Sequence, residues 1–449
     1  MITETITFPS DFLWGTATSA HQVEGDNRNN QWWAWEQQPG RIWRGDRSGG
    51  ACGWWMPGGA EADLDLAAEM GQKAHRLSVE WSRIEPSEGM FDRQAIARYR
   101  QILQAMRERG IEPMVTLHHF TDPLWVAHSG GWENPGIIER FRRFVRYTVG
   151  ELGDLVRMWC TINEPNIYVA FGYIRGVFPP GRRHPIRALQ VLNHMLRAHA
   201  AAYRTIHQMD GQAQVGLAHH IAVFEPADSS SALDRLMATV HDHVFNAISL
   251  YAPHDGIIRF PAGTGLVYGP LLDSQDFIGV NYYVHYRVRF DPSRRTQGFA
   301  RYLFPPGAPL TDIKADGEPY SALSPEGFYR ALRRAAQLRK PIFITENGCP
   351  DAADRVRPRL LATYLPQVHR ALREGADIRG YFHWTLVDNF EWADGWGLRF
   401  GLIELDVPTG QRRIRPSGYF YREVARANAL TPEMVARYAP ELSAYPTSA

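Results

Sequence analysis

The chain has 449 residues, of which 44% are hydrophobic and 12% aromatic, enough apolar material for a sizeable core and too much for a disordered segment. Its 49 Lys and Arg nearly balance 48 Asp and Glu, for a formal charge of +1, which excludes the charge footprint expected of a nucleic-acid or anionic-membrane partner. Cys52, Cys160 and Cys349 are far apart and lack metal-ligand spacing, so they read as reduced thiols.

The opening stretch, Met1 to Pro9, lacks the basic and apolar regions of a signal peptide, and no later run is long enough to span a bilayer. A cytoplasmic protein is therefore expected. Short apolar runs then alternate with amphipathic stretches of helical period, the pattern of parallel βα units. Roughly eight strands are predicted: Phe12 to Ala20, Ala74 to Trp81, Ile111 to Phe120, Arg157 to Glu164, Gln214 to Ala222, Phe277 to Tyr283, Ile342 to Glu346 and Gly380 to Val387. Clear helices fall at Gln94 to Arg109, Ile137 to Leu152, Pro325 to Leu338 and Arg357 to Arg373. Arg140, Arg142, Arg143 and Arg146 lie on one of them and read as a solvated face. No linker divides the chain, so one (β/α)8 barrel with inserted loops over residues 1–449 is expected. A doubly wound sheet is disfavoured, because Ala20 to Gly25 after the first strand lacks a glycine-rich phosphate fingerprint.

Barrel enzymes carry their chemistry at the C-terminal ends of the strands. Polar and aromatic residues collect there in this sequence: Gln22, His118-His119-Phe120, Asn163-Glu164, Asn281-Tyr-Tyr283, Glu346-Asn-Gly348 and Asp388 to Trp392. Glu164 and Glu346 end apolar strands, where an ionised carboxylate is costly unless paired or used. Taken singly, each fits an ion pair with Arg76 as well as it fits catalysis. Two facing one cavity suggest an acid and a nucleophile with separated pKa values. Trp14, Trp125, Trp384, Trp392, Trp396 and Tyr283 are expected to line that cavity, where aromatic faces suit a sugar ring. His118 and His119 are adjacent on a strand, so only one can reach the cavity, and His241 and His243 are two apart on a helix and do not face each other. No metal or cofactor is implied.

At these motifs the chain resembles glycoside hydrolase family one, the β-glucosidase family of retaining glycosidases. The resembling segments are Phe12 to Gly25, Arg76 to Ile84, Thr161 to Pro165, Asn281 to Tyr283, Thr345 to Gly348 and Trp384 to Ala393, in order along most of the chain. The resemblance implies that Glu164 is the acid/base and Glu346 the nucleophile, with Arg76, Tyr283 and Asn281 supporting the nucleophile. It implies sugar contacts from Gln22, His119, Asn163, Glu391 and Trp392, and a stacking platform in Trp384. Phe120 departs from the family's usual Trp and cannot donate an indole N–H to the glycone. The substrate so implied is a small-molecule β-glycoside or oligosaccharide, cleaved from its non-reducing end, with β-galactosides or β-fucosides accepted beside β-glucosides. Assembly into a homo-oligomer stays open. The rival readings are an endo-acting β-glucanase and a sugar binder without catalysis.

Overall fold

Eight parallel strands close into a barrel. We label them β1 (Leu13–Ala17), β2 (Ala74–Ser78), β3 (Glu112–Thr116), β4 (Met158–Asn163), β5 (Gln214–His220), β6 (Phe277–Tyr282), β7 (Ile342–Asn347) and β8 (Ile378–Trp384). Each pairs with its sequence neighbours, and β8 closes on β1. This computed structural model describes residues 2–442; Met1 and residues 443–449, the ends of the expected 1–449 unit, lie outside the described residues. All the predicted strands are present; most are shorter than predicted, because the polar stretches at their C-terminal ends leave the ladder and turn into the mouth, while β7 runs one residue longer, to Asn347, and β8 begins two residues earlier, at Ile378.

Helices cover the barrel: α1 (Gly59–Glu69), α2 (Arg93–Glu108), α3 (Ile137–Leu152), α4 (Pro185–Met209), α5 (Ala232–Asp242), α6 (Pro325–Ala336), α7 (Arg357–Arg373) and α8 (Pro416–Ala427). The start of α6 shows how local sequence sets an element. The Ser324 side chain accepts the Gly327 N–H and Pro325 occupies the first turn, satisfying one orphan donor and presetting φ. Phe328, Ala331, Leu332 and Ala335 then form the buried stripe. Burying Phe328 and Leu332 contributes about 1.5–3 kcal/mol each. Among the described residues no helix is long and apolar enough to cross a membrane.

Inside the barrel, Ala17, Ala74, Met114, Met158, Phe277, Phe343 and Phe382 share one apolar cluster below the mouth. Strict alternation from Met158 would turn Asn163 outward, and from Phe343 it would turn Glu346 outward. The ladders of both strands shift register just before these residues, between Cys160 and Asn163 in β4 and between Ile344 and Asn347 in β7. Such irregularities re-aim side chains, and here they turn Asn163 and Glu346 into the cavity. β6 keeps regular alternation, and Asn281 and Tyr283 point inward from it.

The segment after β8 is held by a buried ion pair. Arg415, just before α8, donates to both carboxylate oxygens of Asp388 at 2.9 and 2.8 Å, and Asp388 also accepts the Gly401 N–H at 2.8 Å. Removing one partner leaves the other charge buried and unpaired. Asp388→Ala should therefore lose about 3–5 kcal/mol of stability, measured by urea denaturation. A loss under about 1 kcal/mol, the scale of an exposed pair, contradicts this role.

Candidate active site

Arg76 on β2 is the centre of the mouth and is fully buried. Its Nη1 donates to Glu346 Oε1 at 2.6 Å, its Nη2 to Asn163 Oδ1 at 2.6 Å and its Nε to Thr116 Oγ1 at 2.9 Å. The second oxygen of Glu346 accepts the Tyr283 hydroxyl at 2.8 Å. Burial and the charge of Glu346 push the Tyr283 phenol far up, so it stays an O–H donor. Glu346 thus receives one donor on each oxygen.

Glu164 follows β4 and takes a left-handed backbone, φ 44°, a conformation that costs a non-glycine residue roughly 1–2 kcal/mol. Asn281 Nδ2 donates to its Oε1 at 2.8 Å and to Asn163 Oδ1 at 3.1 Å. A continuous chain of hydrogen bonds therefore runs from Glu346 through Arg76, Asn163 and Asn281 to Glu164. This corrects the expectation for Asn281, which was grouped with Arg76 and Tyr283 on Glu346; it contacts Glu164 instead, because β6 presents it one residue pair below Tyr283.

Burial pushes the Glu346 carboxyl up to about 7, with Arg76 pulling it down and the Glu164 charge raising it further. Against that push, the guanidinium and phenol donors on its two oxygens favour the charged form of Glu346.

One end of the mouth is built by residues that follow β1, β3 and β8, together with Asn163 of β4. Asn163 Nδ2 donates to His119 Nε2 at 3.1 Å, since its Oδ1 is already taken by Arg76. Burial, then Arg76 and His118, hold the His119 ring neutral. It lies against Trp384 and Trp392 with centroids 5.9 and 6.0 Å away. Gln22 Nε2 ties the β8 tail at Phe390 O, 2.8 Å, and reaches Glu391 Oε2 at 3.3 Å. Burial, then the charges of Asp394 and Glu346, push the Glu391 carboxyl well up. Phe120 and Trp392 also adopt positive φ, 68° and 49°, and meet edge to face at 5.3 Å. The glycine of Thr345-Glu-Asn-Gly348 is required by space: a Cβ there would lie 1.9 Å from Trp384 O.

Three tryptophans expected at the cavity are elsewhere. Trp14 points out of the barrel, with its indole donating to Asn428 and its ring between Phe8 and Phe12. Trp125 donates to Glu85 O and packs on Trp81 under the α3 arginines. Trp396 donates to Arg47 O on the outer side of the β8 tail. Of the histidines, His119 reaches the cavity, while His118 turns outward to Asp122 at 3.0 Å. His241 and His243 diverge, toward Gly298 O and Phe260 O. The sequence reading missed His220, which contacts Glu164 Oε1 at 3.1 Å; its signal was the His219-His220 pair ending β5, a strand for which no mouth residue was named. It also missed Tyr320, edge-on to Tyr283 at 6.1 Å and in the field of Glu391, Glu164, Asp394 and Glu346. No strand pattern marks Tyr320, since it arrives on a loop.

The family model for glycosyl hydrolase family 1 matches residues 4–252 and 268–430. The chain is 31% identical to a β-galactosidase of Pyrococcus woesei across 94% of this chain and 98% of that one. It is 30% identical to β-glucosidase A of Thermotoga maritima, again across 94% and 98%. Among solved structures, a β-glycosidase from Pyrococcus horikoshii superposes with a TM-score of 0.87 at 37% identity, covering 98% of this chain and 99% of that one. With the closed barrel, the paired glutamates at its mouth and a family match over nearly all of its length, this chain belongs to glycosyl hydrolase family 1.

Proposed function

We propose that the protein is a retaining exo-β-glycosidase in which Glu346 is the nucleophile and Glu164 the general acid and base. The observation that carries this assignment is the unequal hydrogen bonding of the two carboxyls. Glu346 accepts a guanidinium and a phenol donor, one per oxygen, which favours its charged form. The hydrogen bonds that protein donors give Glu164 gather on Oε1, leaving Oε2 for a proton. A Glu346 oxygen attacks the anomeric carbon as the glycosidic C–O bond breaks; that electron pair goes to the leaving oxygen, which takes the Glu164 proton. Water then attacks the anomeric carbon, gives its proton to Glu164 and releases Glu346. Two inversions retain the β configuration.

Gln22, His119, Asn163, Glu391 and Trp392 are assigned to the glycone hydroxyls and Trp384 to its face. Their closure around one end of the cavity supports cleavage of terminal residues. The relatives are named as β-glucosidases and β-galactosidases, which supports a glycone site tolerant at the 4-hydroxyl. The described chain is read as a single catalytic unit, supported by the pairing of Ile6–Thr7 with Ala429–Leu430. Three buried, unpaired cysteines support a cytoplasmic setting.

Proton NMR at early times on an aryl β-glucoside should detect the β-anomer of glucose first; initial α-anomer contradicts the double displacement. β-Glucosides and β-galactosides should both be cleaved, and 6-phosphoglucosides only poorly, because the Glu391 carboxyl, pushed up by burial and bonded to Gln22, offers a phosphate dianion no cationic partner. A kcat/KM on a 6-phosphoglucoside equal to that on the glucoside overturns this placement of Glu391. Glu164→Ala should lose about 10²–10⁴-fold in kcat/KM on cellobiose, whose alkoxide needs a proton, and far less on dinitrophenyl glucoside. Azide should restore its turnover with a β-glycosyl azide product, whereas Glu346→Ala with azide should give the α-azide. Equal losses on both substrates, or α-azide from Glu164→Ala, refute the assignment.

A further inference from the structure

We infer that His220 is a positioning residue for Glu164, fixing Oε1 as the oxygen that accepts hydrogen bonds and Oε2 as the one that carries the transferred proton. The inference rests on the reading of Glu164 as the acid and base. His220 closes β5 with its side chain inside the barrel, 6% exposed. Its Nδ1 lies 3.1 Å from Glu164 Oε1, the oxygen that also accepts Asn281 Nδ2 at 2.8 Å. Its ring is fixed on both sides, stacked on Tyr283 at 5.6 Å and met edge-on by Phe245 at 5.6 Å. Asn166 Nδ2 donates to the His220 backbone carbonyl at 2.8 Å, which fixes the residue's main chain as well.

The direction of the Nδ1 contact decides what His220 does. Its Nε2 is buried and has no hydrogen-bond partner among the described residues. If the ring proton sat on Nε2, a buried N–H would be orphaned; with the proton on Nδ1, only an acceptor lone pair is left over. Orphaned buried donors are the rarer of the two. The Nδ1–H tautomer therefore donates to Oε1. With two donors already there, a proton on Oε1 would displace one of them, and the Glu164 side chain makes no capping bond to the short helix it precedes that would engage Oε2 instead. The opposite tautomer would take the acid's proton into a contact with Nδ1, away from the leaving oxygen. His220 thus acts on the proton through Glu164 and need not touch substrate.

The test compares wild type, Glu164→Gln, His220→Asn, His220→Gln and His220→Phe on a series of β-glucosides from dinitrophenyl to methyl. The side-chain amide of Asn can replace the Nδ1–H, whereas that of Gln lies one bond farther out. Relative to wild type, His220→Phe and His220→Gln should lose at least about tenfold more kcat/KM on methyl glucoside than on dinitrophenyl glucoside, a part of the full acid contribution. His220→Asn should recover most of that difference. Should His220→Phe fail to fold, His220→Gln keeps a polar side chain and carries the same comparison. Equal losses along the series, or His220→Asn behaving like His220→Gln, overturn the inference. If Glu164→Gln itself shows no leaving-group dependence, the reading of Glu164 has failed instead.

Discussion

A buried arginine cannot shed its charge, and Arg76 obliges everything around it to supply acceptors. Its donors reach side chains on β3, β4 and β7 while its own Cα sits on β2. Half of the barrel mouth is thereby locked to one guanidinium. The Glu346 carboxylate neutralises it, and Asn163, once its oxygen is taken, must turn its NH₂ toward His119 and the cavity. The orientation of the Asn163 amide thus follows from the burial of a cation behind it. The same guanidinium helps keep His119 neutral, so that the ring offers one donor and one acceptor.

Several departures from regular backbone meet at the mouth. Phe120, Glu164 and Trp392 all have positive φ, and β4 and β7 both slip register where they enter the cavity. Each departure costs energy that the surrounding core must offset. The packing of Trp32, Phe178 and Phe120 around Trp392, with centroids 4.7, 6.1 and 5.3 Å away, supplies such an enclosure. The Asp388–Arg415 pair does the same for the tail that carries Glu391. Regular strands deliver side chains to fixed faces; a site that needs neighbouring residues on the same face must break that regularity.

The tryptophans show where reading composition fails. Trp384 and Trp392 stand at the cavity, but Trp14, Trp125 and Trp396 satisfy their indole N–H groups on the outer layers. All five are large, largely apolar and near strand ends in sequence, and nothing local distinguishes the two sets. What separates them is which side of a strand or tail each occupies, and that depends on contacts with residues far along the chain, such as Asn428 for Trp14.

The sequence alone determined the order of eight strands and their covering helices, because apolar period and capping residues are local signals that survive in any arrangement. It also pointed to the two carboxylates and most of their neighbours, through their place at the ends of apolar runs and through the family motifs in which they stand. Only the tertiary structure decided that Asn281 serves Glu164, that His220 joins it, and that Tyr320 overlooks both glutamates. Those outcomes depend on register shifts and loop paths fixed by pairing with neighbouring strands, and a two-residue period read along one strand carries no information about where its partner makes it slip.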